Sequence, residues 1–294
     1  MKVNKEWQDY SCLATGGGEK LERWKDVYLL RPDPQVIWPS RTSLKKYPKL
    51  CAHYIRSSSG GGYWENLRPM KDEWVVSWRN FKFKIKPMGF KHTGLFPEQA
   101  VNWAKCIDLI QKSNREIKVL NLFAYTGGAT VACVSAGAHV THVDASKAMV
   151  ERAKENIKLS SLPQDKCRFI VDDCFKFVER EIRRGNKYDA IILDPPSFGR
   201  GPNGETWKIE NNLYDFLTVC RKVLSEKPLF VLLNSYTTGL QPTVISNLLN
   251  LTFGDLGGKS ESYEVGLDTE EAGVILPCGC SGFIAVSYTH LTLP

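Results

Sequence analysis

The chain of 294 residues has no uninterrupted apolar run approaching the length of a membrane span, so no membrane partner is expected. Its opening residues, MKVNKEWQDY, lack the apolar core of a signal peptide. Nine cysteines, odd in number and scattered, form no disulfide framework, and a reducing cytoplasm is the expected setting. There are no internal repeats. The full GxGxxG spacing of a dinucleotide site is missing as well: Gly127 and Gly128 are present, but position 131 is valine. What remains is 43% hydrophobic and 24% charged, an ordinary globular composition that excludes a disordered or collagen-like chain. The length fits one large domain or a large plus a small one.

Charge is unevenly placed. Residues 1–95 hold 18 Lys+Arg against 9 Asp+Glu, a net +9, whereas residues 96–294 carry −2. The stretch Trp74 to Lys86 interleaves cations with aromatics (Trp78, Arg79, Phe81, Lys82, Phe83, Lys84). Two readings fit it: the basic face of a nucleic-acid binder, or a strand pair with aromatics in the core and solvated lysines. Taken alone, the second is favoured. Proline-broken β-rich stretches (DVYLLRPDPQVIW) and the loop SSSGGG mark residues 1–95 as a basic β-rich domain.

After Pro97 the pattern changes. A helix over Glu98–Ser113 precedes apolar strands at Lys118–Phe123, His139–Val143, Cys167–Val171, Tyr188–Leu193 and Pro228–Leu233. Amphipathic helices separate them at Gly128–Ala136, Ser146–Leu159, Cys174–Arg184 and Glu210–Leu224, with one more at Gln241–Leu251. This alternation predicts an α/β fold with a mostly parallel sheet covered on both faces. Strands at Ser260–Gly266 and Val274–Val286, with no helix between them, predict an antiparallel edge hairpin.

Ligands in such sheets bind beyond the carboxyl ends of the strands. The first strand runs into VLNLFAYTGGAT, where Gly127 and Gly128 permit a sharp turn and a close backbone approach. The second ends at Asp144, placed to accept from two ribose hydroxyls, followed by Ala145 and by Ser146 as the cap of the next helix. The third ends VDDCF; Asp173, chosen over Asp172, can accept from an adenine amino group or simply cap a helix. Without the third glycine, a nucleoside-type cofactor lacking phosphates is favoured over a dinucleotide. The fourth strand ends in Asp194-Pro195-Pro196-Ser197, where two prolines must turn the chain out rigidly. The resulting acceptor-rich rim suits the amino edge of a planar base, with Phe198 or Tyr125 as a stacking face.

The runs NLFAYTGGAT, HVDASKAMVERAKEN, FIVDDCFKFV and LDPPSFGRG resemble class I S-adenosylmethionine (SAM)-dependent methyltransferases. More narrowly, they are similar to the bacterial large-subunit ribosomal-RNA methyltransferases of the cytosine-C5 and guanine-N7 branches. KHTGLFPEQA (Lys91 to Ala100) resembles the stretch preceding the cofactor domain in that family. The RNA-binding PUA module of some relatives has no visible counterpart. The resemblance implies a Rossmann-like sheet, SAM as cofactor, ribosomal RNA as partner, and no metal. It assigns Tyr125, Thr126, Gly127 and Gly128 to the loop lining the methionine portion, and Asn121 and Phe123 to cofactor contacts. Asp144 goes to the ribose, with Ala145 and Ser146 as further cofactor contacts, Asp173 and Cys174 to the adenine, and Gln99 to a contact from the linker helix. Asp194, Pro195, Pro196 and Ser197 border the target base, with Asp194 also facing the cofactor.

Carbon 5 of cytosine requires a cysteine nucleophile, which the relatives carry just after the fifth strand. This chain has Tyr236-Thr237-Thr238-Gly239 there, and a threonine hydroxyl cannot replace the thiol. Cys174 and Cys220 read as packing residues, and Cys278 with Cys280 as too few ligands for a metal. A ring or exocyclic nitrogen acceptor is therefore expected. His142 reads as structural, and His92 as either loop packing or a substrate contact. The expected division is a basic β-rich domain over 1–95, a methyltransferase domain over 96–286 and a non-native tail over 287–294, with Phe283 to Val286 under the same doubt. A homodimer fits the reading, as does a monomer. The rivals are a methyltransferase of a small molecule or protein, and a non-catalytic RNA-binding module with a vestigial pocket.

Overall fold

The computed structural model describes residues 1–57, 61–200 and 206–286. The expected tail over 287–294, and residues 58–60 of the SSSGGG loop, lie outside them. The described residues form two compact units: residues 1–101 with 158–161 and 265–278, and residues 102–157 with 162–264 and 279–286. The division thus falls later than residue 95, and the first unit takes in two distant segments. Val265 and Gly266 pair with Lys2 and Val3, and Glu271 accepts from the backbone and hydroxyl of Thr15.

In the first unit, β1 (Lys2–Val3) precedes a sheet of β2 (Tyr10–Gly16), β3 (Glu19–Trp24), β4 (Val27–Pro32), β5 (Ala52–Arg56) and β6 (Gly62–Asn66), in that spatial order. A separate hairpin follows, β7 (Trp74–Trp78) and β8 (Phe81–Ile85). The hairpin decides between the two readings of the aromatic–lysine stretch. Val76, Trp78, Phe83 and Ile85 are buried at 0–1% exposure, while Lys84 pairs with Glu73 and Arg79 with Glu6. Period-2 alternation has turned the aromatics into the core. At the turn, Arg79 adopts φ 51°.

The second unit contains α1 (Ala100–Lys112, from Asn102 on), β9 (Lys118–Leu122), α2 (Gly128–Ser135), β10 (His139–Asp144), α3 (Lys147–Leu159), β11 (Cys167–Val171) and α4 (Cys174–Arg183). Next come β12 (Ala190–Leu193), β13 (Phe198–Arg200), β14 (Thr206–Lys208), α5 (Ile209–Arg221), β15 (Phe230–Ser235), α6 (Pro242–Phe253), β16 (Lys259–Asp268, up to Glu264) and β17 (Ile275–Ala285, from Gly279 on). The sheet order is β1-β16-β17-β15-β12-β9-β10-β11. Its five strands from β15 to β11 are parallel, and β17 is antiparallel to β15. This is a Rossmann-like, mostly parallel sheet with an antiparallel edge, and the N-terminal sheet stands apart from it.

One face of the sheet presents Leu120, Leu122, Ile191, Leu193, Val231 and Leu233 to Phe177 of α4, Phe216 of α5 and Phe253 of α6. Alternate residues on β9 point the other way, where the Asn121 amide donates to Thr130 of α2. Phe283 and Ile284, doubted from sequence, are buried in β17 and pair with Leu232 and Val231. They are part of the core.

Candidate active site

Register brings the strand tips together. Leu122 lies opposite both Val143 and Leu193, and Asp144 lies opposite Val171. Parallel strands in step must release their chains at the same edge, so Phe123, Asp144, Asp172 and Asp194 leave the sheet side by side. Backbone bonds continue the ladder one step further: Ala124 N–H to Val143 O at 3.0 Å, Asp172 N–H to Asp144 O at 3.1 Å, and Asp194 N–H to Leu122 O at 3.4 Å.

The loop after β9 is tightly wound. Phe123 (φ 54°), Tyr125 (φ 50°) and Gly127 (φ 82°) all take left-handed backbone, two of them against the steric preference of a side chain. Such strain persists only where surroundings enforce it. Here the Tyr125 N–H is held by Asp144 Oδ2 at 2.8 Å. The Thr126 carbonyl accepts from buried Asn156 of α3 at 2.9 Å, and the Phe123 N–H points at Cys174 Sγ, 3.2 Å away.

The two glycines serve packing as well as turning. A Cβ on Gly127 would sit 2.9 Å from the Ala153 Cβ, and one on Gly128 would sit 2.4 Å from Trp103 Cζ2. Gly128→Ala is expected to destabilise the chain by about 1–3 kcal/mol through overpacking. Thermal denaturation should register a loss of roughly 2–12 °C, and an unchanged melting temperature would remove the Trp103 contact as the reason for the glycine.

Asp144 is half-buried, and burial raises its pKa above the ordinary carboxylate value, opposed by the N–H groups of Ser146 and Tyr125. Each carboxylate oxygen accepts one of these bonds at 2.8 Å, which leaves each a further lone pair. Ala145 and Ser146 are exposed beside it, and the Ser146 carbonyl takes the Val150 N–H to open α3. Asp173 is exposed and caps α4, accepting from the Lys176 N–H at 2.9 Å. Its neighbour Asp172 is tied to Arg180 and to the Asp173 N–H. Val171 and Phe175, 48% and 36% exposed, offer apolar surface at the same tip.

After β12 the segment Asp194-Pro195-Pro196-Ser197 is pinned from three sides. The Trp207 indole N–H donates to the Pro196 carbonyl at 2.6 Å, and the Ile209 N–H to the Ser197 carbonyl at 3.1 Å. The Ser197 and Thr237 hydroxyls meet at 2.6 Å. Trp207 also packs against Phe123 and Phe216, each with ring centroids 5.8 Å away. One of the carbonyls expected to face a base is therefore already used, while Phe198 is half exposed.

The tips suit a cationic nucleoside. Among the described residues Asp144 has no cationic partner, which leaves its remaining lone pairs open to neutral donors. The carboxylates of Asp144 and Asp173 would repel a pyrophosphate, whereas that of Asp172 is neutralised by Arg180. A sequence profile described as S-adenosylmethionine-dependent methyltransferase matches residues 40–219. The chain belongs to this family. It is 32% identical over 221 residues to the ribosomal RNA large subunit methyltransferase K/L of Shewanella frigidimarina, covering 74% of this chain and 29% of that protein. The corresponding protein of Colwellia psychrerythraea is 30% identical over the same length and shares. The chain thus spans under a third of these curated relatives. The SAM-dependent methyltransferase from Agrobacterium tumefaciens superposes with a TM-score of 0.89 at 33% identity, over 97% of this chain and 92% of that one. SMU.776, solved with SAH, shares the fold at a TM-score of 0.74 and 18% identity, over 96% of this chain and 76% of that one.

For this methyltransferase, the structure places most of the sequence-predicted residues at one edge: Phe123, Tyr125, Thr126, Gly127, Gly128, Asp144, Ala145, Ser146, Asp173, Cys174 and Asp194 to Ser197. Asn121 points away from that edge. It is 3% exposed and joins a buried chain in which Thr130 Oγ1 meets His142 Nδ1 at 2.9 Å. Gln99 belongs to the first unit, buried in a short helical turn. Burial depresses the His142 pKa to about 3, in keeping with a structural role. Trp207 and the β13–β14 hairpin were missed from sequence, although Asn203-Gly204 between them is a strong hairpin dipeptide.

Proposed function

We propose that this chain methylates a ring or exocyclic nitrogen of a ribosomal-RNA base. The observation that carries the choice of atom is the Ser197–Thr237 hydroxyl pair beside the proline turn, where a carbon-methylating enzyme would need a thiolate. Nearby thiols do not supply one. Burial pushes Cys174 well above the ordinary thiol range. Cys280, opposite Ser235 in the ladder, donates to the Leu240 carbonyl, and burial with Glu264 raises its pKa to about 11. RNA as the substrate is supported by the names of the curated relatives and by the basic first third.

When bound, SAM supplies an electrophilic methyl carbon. The protein's part is to aim a nitrogen lone pair and strip it of water, for which neither a covalent adduct nor an acid–base pair is required. Asp194 accepts from the amino or imino edge of the base, the prolines hold that carboxylate in place, and Asp144 fixes the cofactor's ribose. The deciding experiment is mass spectrometry of ribosomal-RNA nucleosides from cells with and without the gene. Loss of one N-methylated nucleoside supports the reading; an unchanged nucleoside profile overturns it.

Thr237→Ala removes one hydroxyl–hydroxyl contact, worth up to about 1.5 kcal/mol, so turnover is expected to fall no more than roughly tenfold. RNA containing 5-fluorocytidine should form no covalent complex with the wild-type chain. A trapped adduct on a denaturing gel would return the assignment to carbon.

A further inference from the structure

The first unit carries an unmatched cationic rim that the methyl-transfer reading does not use. Alternation along β5 puts Tyr54 and Arg56 on one face, and the ladder sets Trp64 and Gly62 of β6 opposite them. Residues 86–93 cover part of this face as a closed loop, with Lys86 N–H to Thr93 O at 3.0 Å and Met88 N–H to His92 O at 3.1 Å. Two side chains from the sheet fasten it: the Trp64 indole N–H to Met88 O at 2.8 Å, and Arg31 Nη1 to Lys91 O at 2.9 Å. Arg31 is itself fixed by a two-pronged pair with fully buried Glu22. The loop is therefore anchored and presents its tip in a set position.

At that tip Phe90 is 46% exposed, its ring 5.3 Å from His92. Burial, then Arg31 and Lys91, lower the His92 pKa to about 3, so the imidazole is a neutral aromatic surface. Most basic side chains around it are matched: Lys20 with Asp33, Arg31 with Glu22, Lys84 with Glu73. The side chains of Lys91 and Arg56 are different. Among the described residues neither makes a hydrogen bond or an ion pair. Burial lowers the Lys91 pKa; Asp33 opposes this, while Lys20, Arg31 and Arg56 lower it further. The anion that acts on Lys91, Asp33, is taken by Lys20, and Arg56 lies on the sheet face to which the loop is fastened; two cations so placed beside an exposed ring have the chemistry of a phosphodiester contact next to a stacked base.

We propose that Arg56, Lys91 and Phe90 form a docking site for one single-stranded RNA segment, the two cations holding consecutive phosphates and Phe90 stacking a base. This rests on the RNA reading above and adds the surface that grips the strand. It replaces β7–β8, whose aromatics are spent in the core, as the nucleic-acid face of the basic third.

The test is fluorescence anisotropy with a labelled single-stranded RNA of about 12 nucleotides, a length within the range of such sites, across a salt series. The double variant Arg56→Gln/Lys91→Gln should flatten the slope of log affinity against log salt by about 1.4, or 0.7 per lost phosphate contact. Phe90→Ala should weaken binding roughly five- to hundredfold without altering that slope, and Phe90→Tyr should restore it. SAM affinity by calorimetry, unchanged in every variant, reports that the chains are folded. A wild-type slope in the double variant overturns the docking site and leaves the RNA reading standing. A wild-type chain that shows no salt-dependent RNA binding overturns both.

Discussion

Asp194→Ala is expected to lower single-turnover methyl transfer by at least about a thousandfold while changing SAM affinity by no more than a few-fold. The argument starts from geometry. Asp194 leaves the sheet directly after the ladder residue Leu193, and the two prolines behind it allow no alternative path. The Trp207 and Ile209 donors then fix the far side of the turn. On the proposed reading, a carboxylate so held would turn a loosely bound base into an oriented one, and orientation alone supplies many powers of ten in rate. Truncation keeps the backbone, and with it the cofactor loop, but removes the acceptor. Asp194→Asn retains one acceptor oxygen and should fall between. Labelled-methyl transfer under single-turnover conditions, run beside calorimetric titration with SAM, separates the two quantities. Near-normal turnover in the alanine variant would refute the role.

Asp144→Ala should weaken SAM binding by roughly a hundredfold or more, since two hydrogen bonds to a charged acceptor contribute about 3 kcal/mol or more together. The same residue predicts a pH dependence. Burial raises its pKa, so the proton is bound more readily than in the unfolded chain. That shift favours the folded state when Asp144 is protonated and is lost as pH rises through the raised value. Cofactor binding has the opposite sign: ribose hydroxyls donate to the ionised form, so SAM affinity should fall as pH drops through that value. Binding there should release protons, detectable by calorimetry in buffers of different ionisation enthalpy. Asp144→Asn, which cannot titrate, should bind weakly and without this dependence. An identical pH profile in Asp144→Asn would place the titrating group elsewhere.

The α/β layer order was legible because each strand is a short apolar run and each helix repeats its apolar residues on one side. β11 was placed to the residue, and α2, α3 and α4 to within one or two. The acids at the strand tips were legible for the same reason, since a strand's end fixes its exit point. What escaped depends on partners distant in sequence. Nothing near Gly128 announces that Trp103 fills the space where a side chain would go. Asn121 looks like a site residue until Thr130, itself bonded to His142, is seen to use its amide. Trp207 lies in a hairpin too short to show periodicity. In the first unit the alternation of Trp74 to Lys86 was visible, but which side faced the core depended on packing of Trp78 against Trp7.

Phe123 and Tyr125 bear on kinetics as well as shape. Each non-glycine residue in left-handed backbone costs about 1–3 kcal/mol, and here the cost is met when the chain folds, through the bonds to Asp144, Asn156 and Cys174. The loop backbone is therefore already wound in the unliganded chain. Capture should then proceed at a rate set by diffusion and encounter, with little delay from rearrangement, and differences among related ligands should show themselves in how fast they leave.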